Sequence, residues 1–64
     1  MYRTLPRTFF DSHRTFKPFT IEKAEGETVR EYDRRADKIY NELVKEHETP
    51  ANGNRVYMRY NESK

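Results

Sequence analysis

Residues Thr28 to His47 read TVREYDRRADKIYNELVKEH, and this stretch decides the fold. Its apolar positions are Val29, Tyr32, Ala36, Ile39, Tyr40, Leu43 and Val44. Steps of three, four and one are helical and do not fit a strand. At about 100° per residue these side chains fall in one arc roughly 140° wide, a core-facing stripe broader than a coiled-coil seam. The spacing Thr28-x-x-Glu31 matches a capping box, in which hydroxyl and carboxylate satisfy two backbone N–H groups at the helix start. Gly26 lets the chain turn in, and Pro50 closes the far end because it lacks an N–H and biases Thr49 away from helical angles. Opposite the apolar arc stand Arg30, Arg34, Lys38, Asn41 and Lys45, edged by acids. Arg30, Arg34, Lys38 and Lys45 are a candidate ridge for phosphate, as in a nucleic acid, or for an acidic partner; the plainer reading is a solvated face. Glu31 lies four residues before Arg35, a pairing worth about 0.3 kcal/mol.

Downstream, Arg55 to Tyr60 (RVYMRY) alternates Val56, Met58 and Tyr60 with Arg55, Tyr57 and Arg59 and is the clearest strand. The loop before it, Thr49 to Asn54, is rich in turn formers. Upstream, Thr15 to Ala24 resumes an extended pattern after Pro18, with Phe19 and Ile21 pointing one way and Thr20 and Glu22 the other. Met1 to Phe10 favours β structure but contains Pro6, which demotes a strand to an edge or an arm. Residues 1–24 are therefore a hairpin, or an arm over 1–14 followed by one strand; two prolines favour the arm. Asn61 to Lys64 is expected to fray.

The expected fold is α+β: one amphipathic helix on a two- or three-stranded sheet, in the order extended segment or strand, strand, helix, strand. The 64 residues make one small domain. So short a chain buries only about 60% of its unfolded surface. Aliphatic residues are few, so five Tyr and four Phe must supply much of the core. Chains of this kind gain stability by pairing with a second copy or docking on a larger protein.

Charge is uneven. The net value is +2, but residues 1–20 carry +3, residues 21–50 carry −3 and residues 51–64 carry +2. A general nucleic-acid binder is basic throughout, so this polarity fits an acidic protein partner or a homodimer better. There is no cysteine. That excludes disulfides and thiolate metal sites and favours a reducing compartment. No apolar run reaches the length of a signal peptide or membrane span, so neither a membrane nor secretion is expected. We place the chain in the cytoplasm, which for a viral protein is the host's.

The sharpest candidate site is the strand face Arg55, Tyr57 and Arg59, where an aromatic ring stands between two fixed cations. Such a face suits a protein interface, in which Tyr and Arg are enriched at hot spots. It also meets the needs of a base-stacking surface. The plainer alternative is a polar strand face with Glu22 pairing one arginine. Phe9, Phe10 and Arg7 of the N-terminal segment are added as partner-binding candidates; the alternative is that the phenylalanines complete a thin core. His13 and His47 show no metal-ligand spacing, and His47 at the helix C-terminus suits packing or dipole complementation. Asp11-Ser12-His13 holds the residue types of a hydrolytic triad, but sequence neighbours seldom converge as one. Asp33 and Asp37 share a helix edge and read as charges favouring the dipole. No phosphate-binding glycine loop is present, and no catalytic residue, metal or cofactor is expected. The reading is a small non-enzymatic protein-interaction module, of the phage or mobile-element regulator type, that inhibits or modulates a larger protein. A small nucleic-acid-binding protein is the alternative.

Overall fold

A computed structural model describes residues 4–61 of the chain. The order is β1 (Arg7–Asp11), β2 (Phe19–Ile21), α1 (Val29–His47) and β3 (Val56–Tyr60). The fold is α+β, with one helix against a three-stranded sheet. Strand order is β2-β1-β3, and β1 pairs antiparallel with both neighbours. Consequently β2 and β3 run parallel with the N-terminal strand between them, and α1 makes the crossover.

The helix forms where the periodicity places it. Thr28 is the N-cap; its hydroxyl accepts from the Glu31 N–H at 3.0 Å and the Glu31 carboxylate accepts from the Thr28 N–H at 2.9 Å. That commits Glu31 to the cap. Arg35 instead reaches back to Glu27 with two bonds of 3.0 Å and donates to the Glu22 carbonyl at 2.6 Å. The expected Glu31–Arg35 pair is thus replaced by a two-pronged clamp on the chain entering the helix. Gly26 takes φ +87°, open only to a residue without Cβ strain, and makes that turn.

Of the two arrangements open for the N-terminal segment, the structure takes the hairpin and not the favoured arm: Arg7–Asp11 pairs with β2, Thr8 opposite Thr20 and Phe9 opposite Phe19, and is the central strand of the sheet. Pro6 and Pro18 each stand immediately before a strand, where a missing N–H breaks no ladder bond. The prolines delimit the hairpin without preventing it. Pro6 even supports the sheet, since its carbonyl accepts from the Asn61 N–H at 2.8 Å. Of the tail expected to fray, residues 62–64 lie outside the described residues.

The core lies between α1 and the inner sheet face and is built around Phe9, Tyr32, Ala36 and Val56. Phe9 stacks on Phe19 at 5.3 Å, Phe19 meets Phe16 at 6.0 Å and Phe16 meets His47 at 4.7 Å, so aromatics run beneath the helix to its C-terminus. Ile39, Leu43 and Val44 are only half-buried. Geometry explains this: 19 helical residues extend about 28 Å, whereas a five-residue strand covers about 17 Å.

Asn54 fastens the end where helix, hairpin loop and β3 converge. It is 2% exposed. Its amide donates to Asp11 at 2.8 Å and to the His47 carbonyl at 3.0 Å, and its oxygen accepts from the Ser12 hydroxyl at 3.1 Å and the His13 N–H at 3.0 Å. Replacing it with alanine removes all four bonds at once and leaves the His13 N–H without its acceptor. We expect Asn54→Ala to destabilise the chain by about 2 kcal/mol or more in urea unfolding. Arg30→Ala on the solvent side of α1 should stay within about 0.5 kcal/mol of the parent.

Candidate functional site

Strand alternation sorts the proposed site residues onto opposite faces. In β1, Arg7, Phe9 and Asp11 point toward the helix while Thr8 and Phe10 point away. In β3, Val56, Met58 and Tyr60 point inward while Tyr57 and Arg59 face out. Arg55, two residues before Tyr57, is exposed and shares its parity.

Two of the six partner-binding candidates are therefore core residues. Phe9 is fully buried and Arg7 is 3% exposed. Arg7 lies between two rings, its guanidinium carbon 4.3 Å from the Tyr32 centroid and 4.8 Å from that of Tyr60, and it pairs with Asp33. The guanidinium is planar and more weakly hydrated than an ammonium, which lets it occupy such a slot. Asp33, read from the sequence as a surface charge, is half-buried for this reason.

Phe10, Tyr57, Arg55 and Arg59 do come together, on the outer face. Phe10 pairs with Tyr57 across β1 and β3, and their rings stack at 5.4 Å with 25° between planes. Tyr57 is 46% exposed. Beside this pair, Thr8 faces Arg59 on one side and Thr20 on the other, and the two threonine hydroxyls share a 2.8 Å hydrogen bond. Arg55, Tyr57 and Arg59 follow one another at about 7 Å, two strand residues apart. Among the described residues neither arginine makes an ion pair, and Glu22 is not placed against either. The surface is an aromatic pair ranked with two cations, on a face that α1 does not cover. Each ring covers one face of the other, which limits stacking by a flat base and favours contact with an apolar or aromatic side chain.

Arg30, Arg34, Lys38 and Lys45 are all exposed on the far side of α1, away from this surface. The structure brings the two basic regions to opposite sides of the molecule.

A second polar cluster joins Asp11, Thr15, His47 and Asn54. Asp11 accepts the Thr15 N–H at 2.9 Å and also its hydroxyl, which shares a 2.8 Å bond with Nδ1 of His47. The hydroxyl lies between carboxylate and imidazole. In a hydrolytic triad the imidazole stands between the other two, so this is a clamp of loop on helix. Among the described residues no group of three or more His, Asp and Glu side chains could hold a metal ion. No helix among them is long and apolar enough to cross a membrane.

Several of these contacts escape sequence reasoning. Asn54 sits in a run of turn formers that looks solvent-exposed, and Arg7 meets Tyr32 and Asp33 more than twenty residues away. Comparison of the chain with protein-family models, curated proteins and solved structures finds no match to any of them.

Two carboxylates are tuned by the clamps. Burial alone would push Asp11 up, but the Thr15 hydroxyl and N–H, the Asn54 amide and the nearby His47 together bring it down from 3.8 to about 2. Glu27 falls from 4.5 to about 2 through the Arg35 hydrogen bonds first and the Ala24 N–H second. Both folded values lie below the unfolded ones, so the unfolded chain takes up protons first on acidification. This stabilisation is complete above about pH 4.5 and is lost as the pH falls toward 2. Thermal melts should therefore show the midpoint falling between pH 5 and pH 2, and Glu27→Gln should flatten that slope while lowering the midpoint at pH 7.

Proposed function

We propose that this chain is a non-enzymatic protein-interaction module that recognises its partner with the outer face of the sheet, through Phe10, Tyr57, Arg55 and Arg59. The observation that carries the reading is the Phe10–Tyr57 stack on the uncovered face, with Tyr57 exposed and Phe10 half-buried. A stacked pair on two hydrogen-bonded strands is held before any partner arrives, so little side-chain entropy is lost on binding. Flanking arginines add directional donors for carboxylates, which accords with an acidic partner. Tyr and Arg together are the residue types that dominate binding energy at protein interfaces. A small rigid body with such a face fits an inhibitor or modulator that acts by covering part of a larger protein.

The nucleic-acid alternative draws on the same arginines or on the Arg30/Arg34/Lys38/Lys45 ridge. It has less support, because the rings cover each other and acids flank the ridge. It would require affinity for single strands that falls steeply with salt.

Alanine at Tyr57 and at Arg59 should each reduce capture of the partner from a lysate of the native cell by about tenfold or more. Circular dichroism should remain that of the parent, since both side chains lie outside the core. Capture that is unchanged in both variants would overturn the assignment of this face.

A further inference from the structure

The free edge of β3 is a second surface, distinct from the sheet face. β3 is an edge strand, bonded to β1 on one side only. In an antiparallel ladder, successive residues direct their N–H and C=O groups alternately to one side and the other. Arg55 faces β1, since its carbonyl accepts from the Ser12 N–H at 2.9 Å, and Asn61 does so through Pro6. By the same alternation Val56 and Met58 face outward. The outward groups of Val56 are already met: its N–H donates to the Glu48 carboxylate at 2.7 Å and its carbonyl accepts from the Tyr40 hydroxyl at 3.2 Å. Two side chains thus stand in for a neighbouring strand at the start of β3 and stop there. At Met58 the edge is open, with no hydrogen bond to its N–H or C=O from the described residues.

Beside that opening a groove of about 490 Å³ runs between β3 and α1, lined by Asp33, Asp37, Tyr40, Val56, Met58 and Tyr60 among others. Arg7 neutralises Asp33. Asp37 is exposed and makes no ion pair with a described residue, so the described lining of the groove carries a net negative charge. The opposite side of the same edge presents Tyr57 and Arg59, and is positive.

We propose that the β3 edge takes up an extended segment of another protein whose side chains alternate acidic, basic, acidic. Strand addition supplies main-chain bonds at Met58, and the alternating side chains supply the choice of partner. The residue opposite Met58 points into the groove, where a Lys or Arg meets Asp37 and the tyrosine rings. Its two neighbours point to the outer face, where Glu or Asp meets Arg59. A second copy of this chain matches poorly. Antiparallel self-pairing centred on Met58 would place a methionine in the groove and set two Asp37 walls together, and a shift by two residues would set Arg59 against Arg59. The inference extends the protein-binding reading and shares Arg59 with it, but rests on the Met58 main chain and the Asp37 side of the groove.

The probe is a fluorescein-labelled peptide, Thr-Val-Glu-Arg-Glu-Val-Thr, titrated with the full chain by anisotropy. Saturable binding is expected, with the charge-swapped peptide Thr-Val-Arg-Glu-Arg-Val-Thr weaker by about tenfold or more. A synthetic chain with N-methylated Met58 removes the outward donor without touching the β1 ladder and should lose binding. Asp37→Asn, which leaves every core contact in place, should weaken the first peptide and narrow the gap to the second. Equal affinity for both peptides, no saturation with either, or binding indifferent to both alterations would overturn the proposal. So would sedimentation showing a dimer that N-methylation of Met58 dissociates, since a second copy would then hold the edge. None of these alterations involves Phe10 or Tyr57, so failure here leaves the outer-face reading standing. Lysate capture that survives Tyr57→Ala would sink that reading alone.

Discussion

Tyr32 is the point at which helix, hairpin and third strand are tied together. Its ring is fully buried and rests on the Arg7 guanidinium, with Arg35 approaching at 5.5 Å. Its single hydroxyl proton is directed to the Leu5 carbonyl at 2.7 Å and shared with that of Ile21 at 3.3 Å, which ties α1 to the chain entering β1 and to the end of β2. Arg7 carries the link onward to Tyr60 of β3. A buried cation between two rings and a carboxylate is tolerable because ring faces and Asp33 replace the water it loses. With few aliphatic side chains to bury, the molecule uses a layered arginine–tyrosine stack where larger domains use leucine.

That stack settles which sheet face is covered. Once Arg7, Phe9 and Asp11 turn toward the helix, the pleat turns Thr8 and Phe10 away. Register then brings Phe10 to Tyr57 and Thr8 to Arg59. One helix covers one face, so the other carries its aromatics in the open. The charge asymmetry has the same origin. The acidic middle of the chain folds into the helix side, where Asp33 answers Arg7 and Glu27 answers Arg35. Arg55 and Arg59 remain on the far side without such partners.

The helix was legible because its signals are local. Periodicity, the Thr28–Glu31 box and Pro50 all lie within about twenty residues and agree. β3 was legible by alternation, and with it the outward set Arg55, Tyr57 and Arg59. β1 was not, because its inward face reads Arg, Phe, Asp and two of those three residue types are usually exposed. Only the distant rings of Tyr32 and Tyr60 and the amide of Asn54 make that face burial-competent, and no local pattern announces them. The same difficulty placed Arg7 and Phe9 among the partner contacts. Phe10, read as part of an N-terminal arm, instead stacks on Tyr57 across the sheet, through a register that sequence spacing does not determine.

The separation of a buried, stabilising sheet face from an uncovered one is tested most directly by urea unfolding of two substitutions of like chemistry, Arg7→Met and Arg59→Met. Both remove an arginine from a strand and leave a side chain of similar length. If the assignment of faces is right, Arg7→Met loses more than about 2 kcal/mol because Asp33 and two ring faces are left without their cation, while Arg59→Met stays within about 0.5 kcal/mol of the parent. Equal losses, or a larger loss at Arg59, would contradict it.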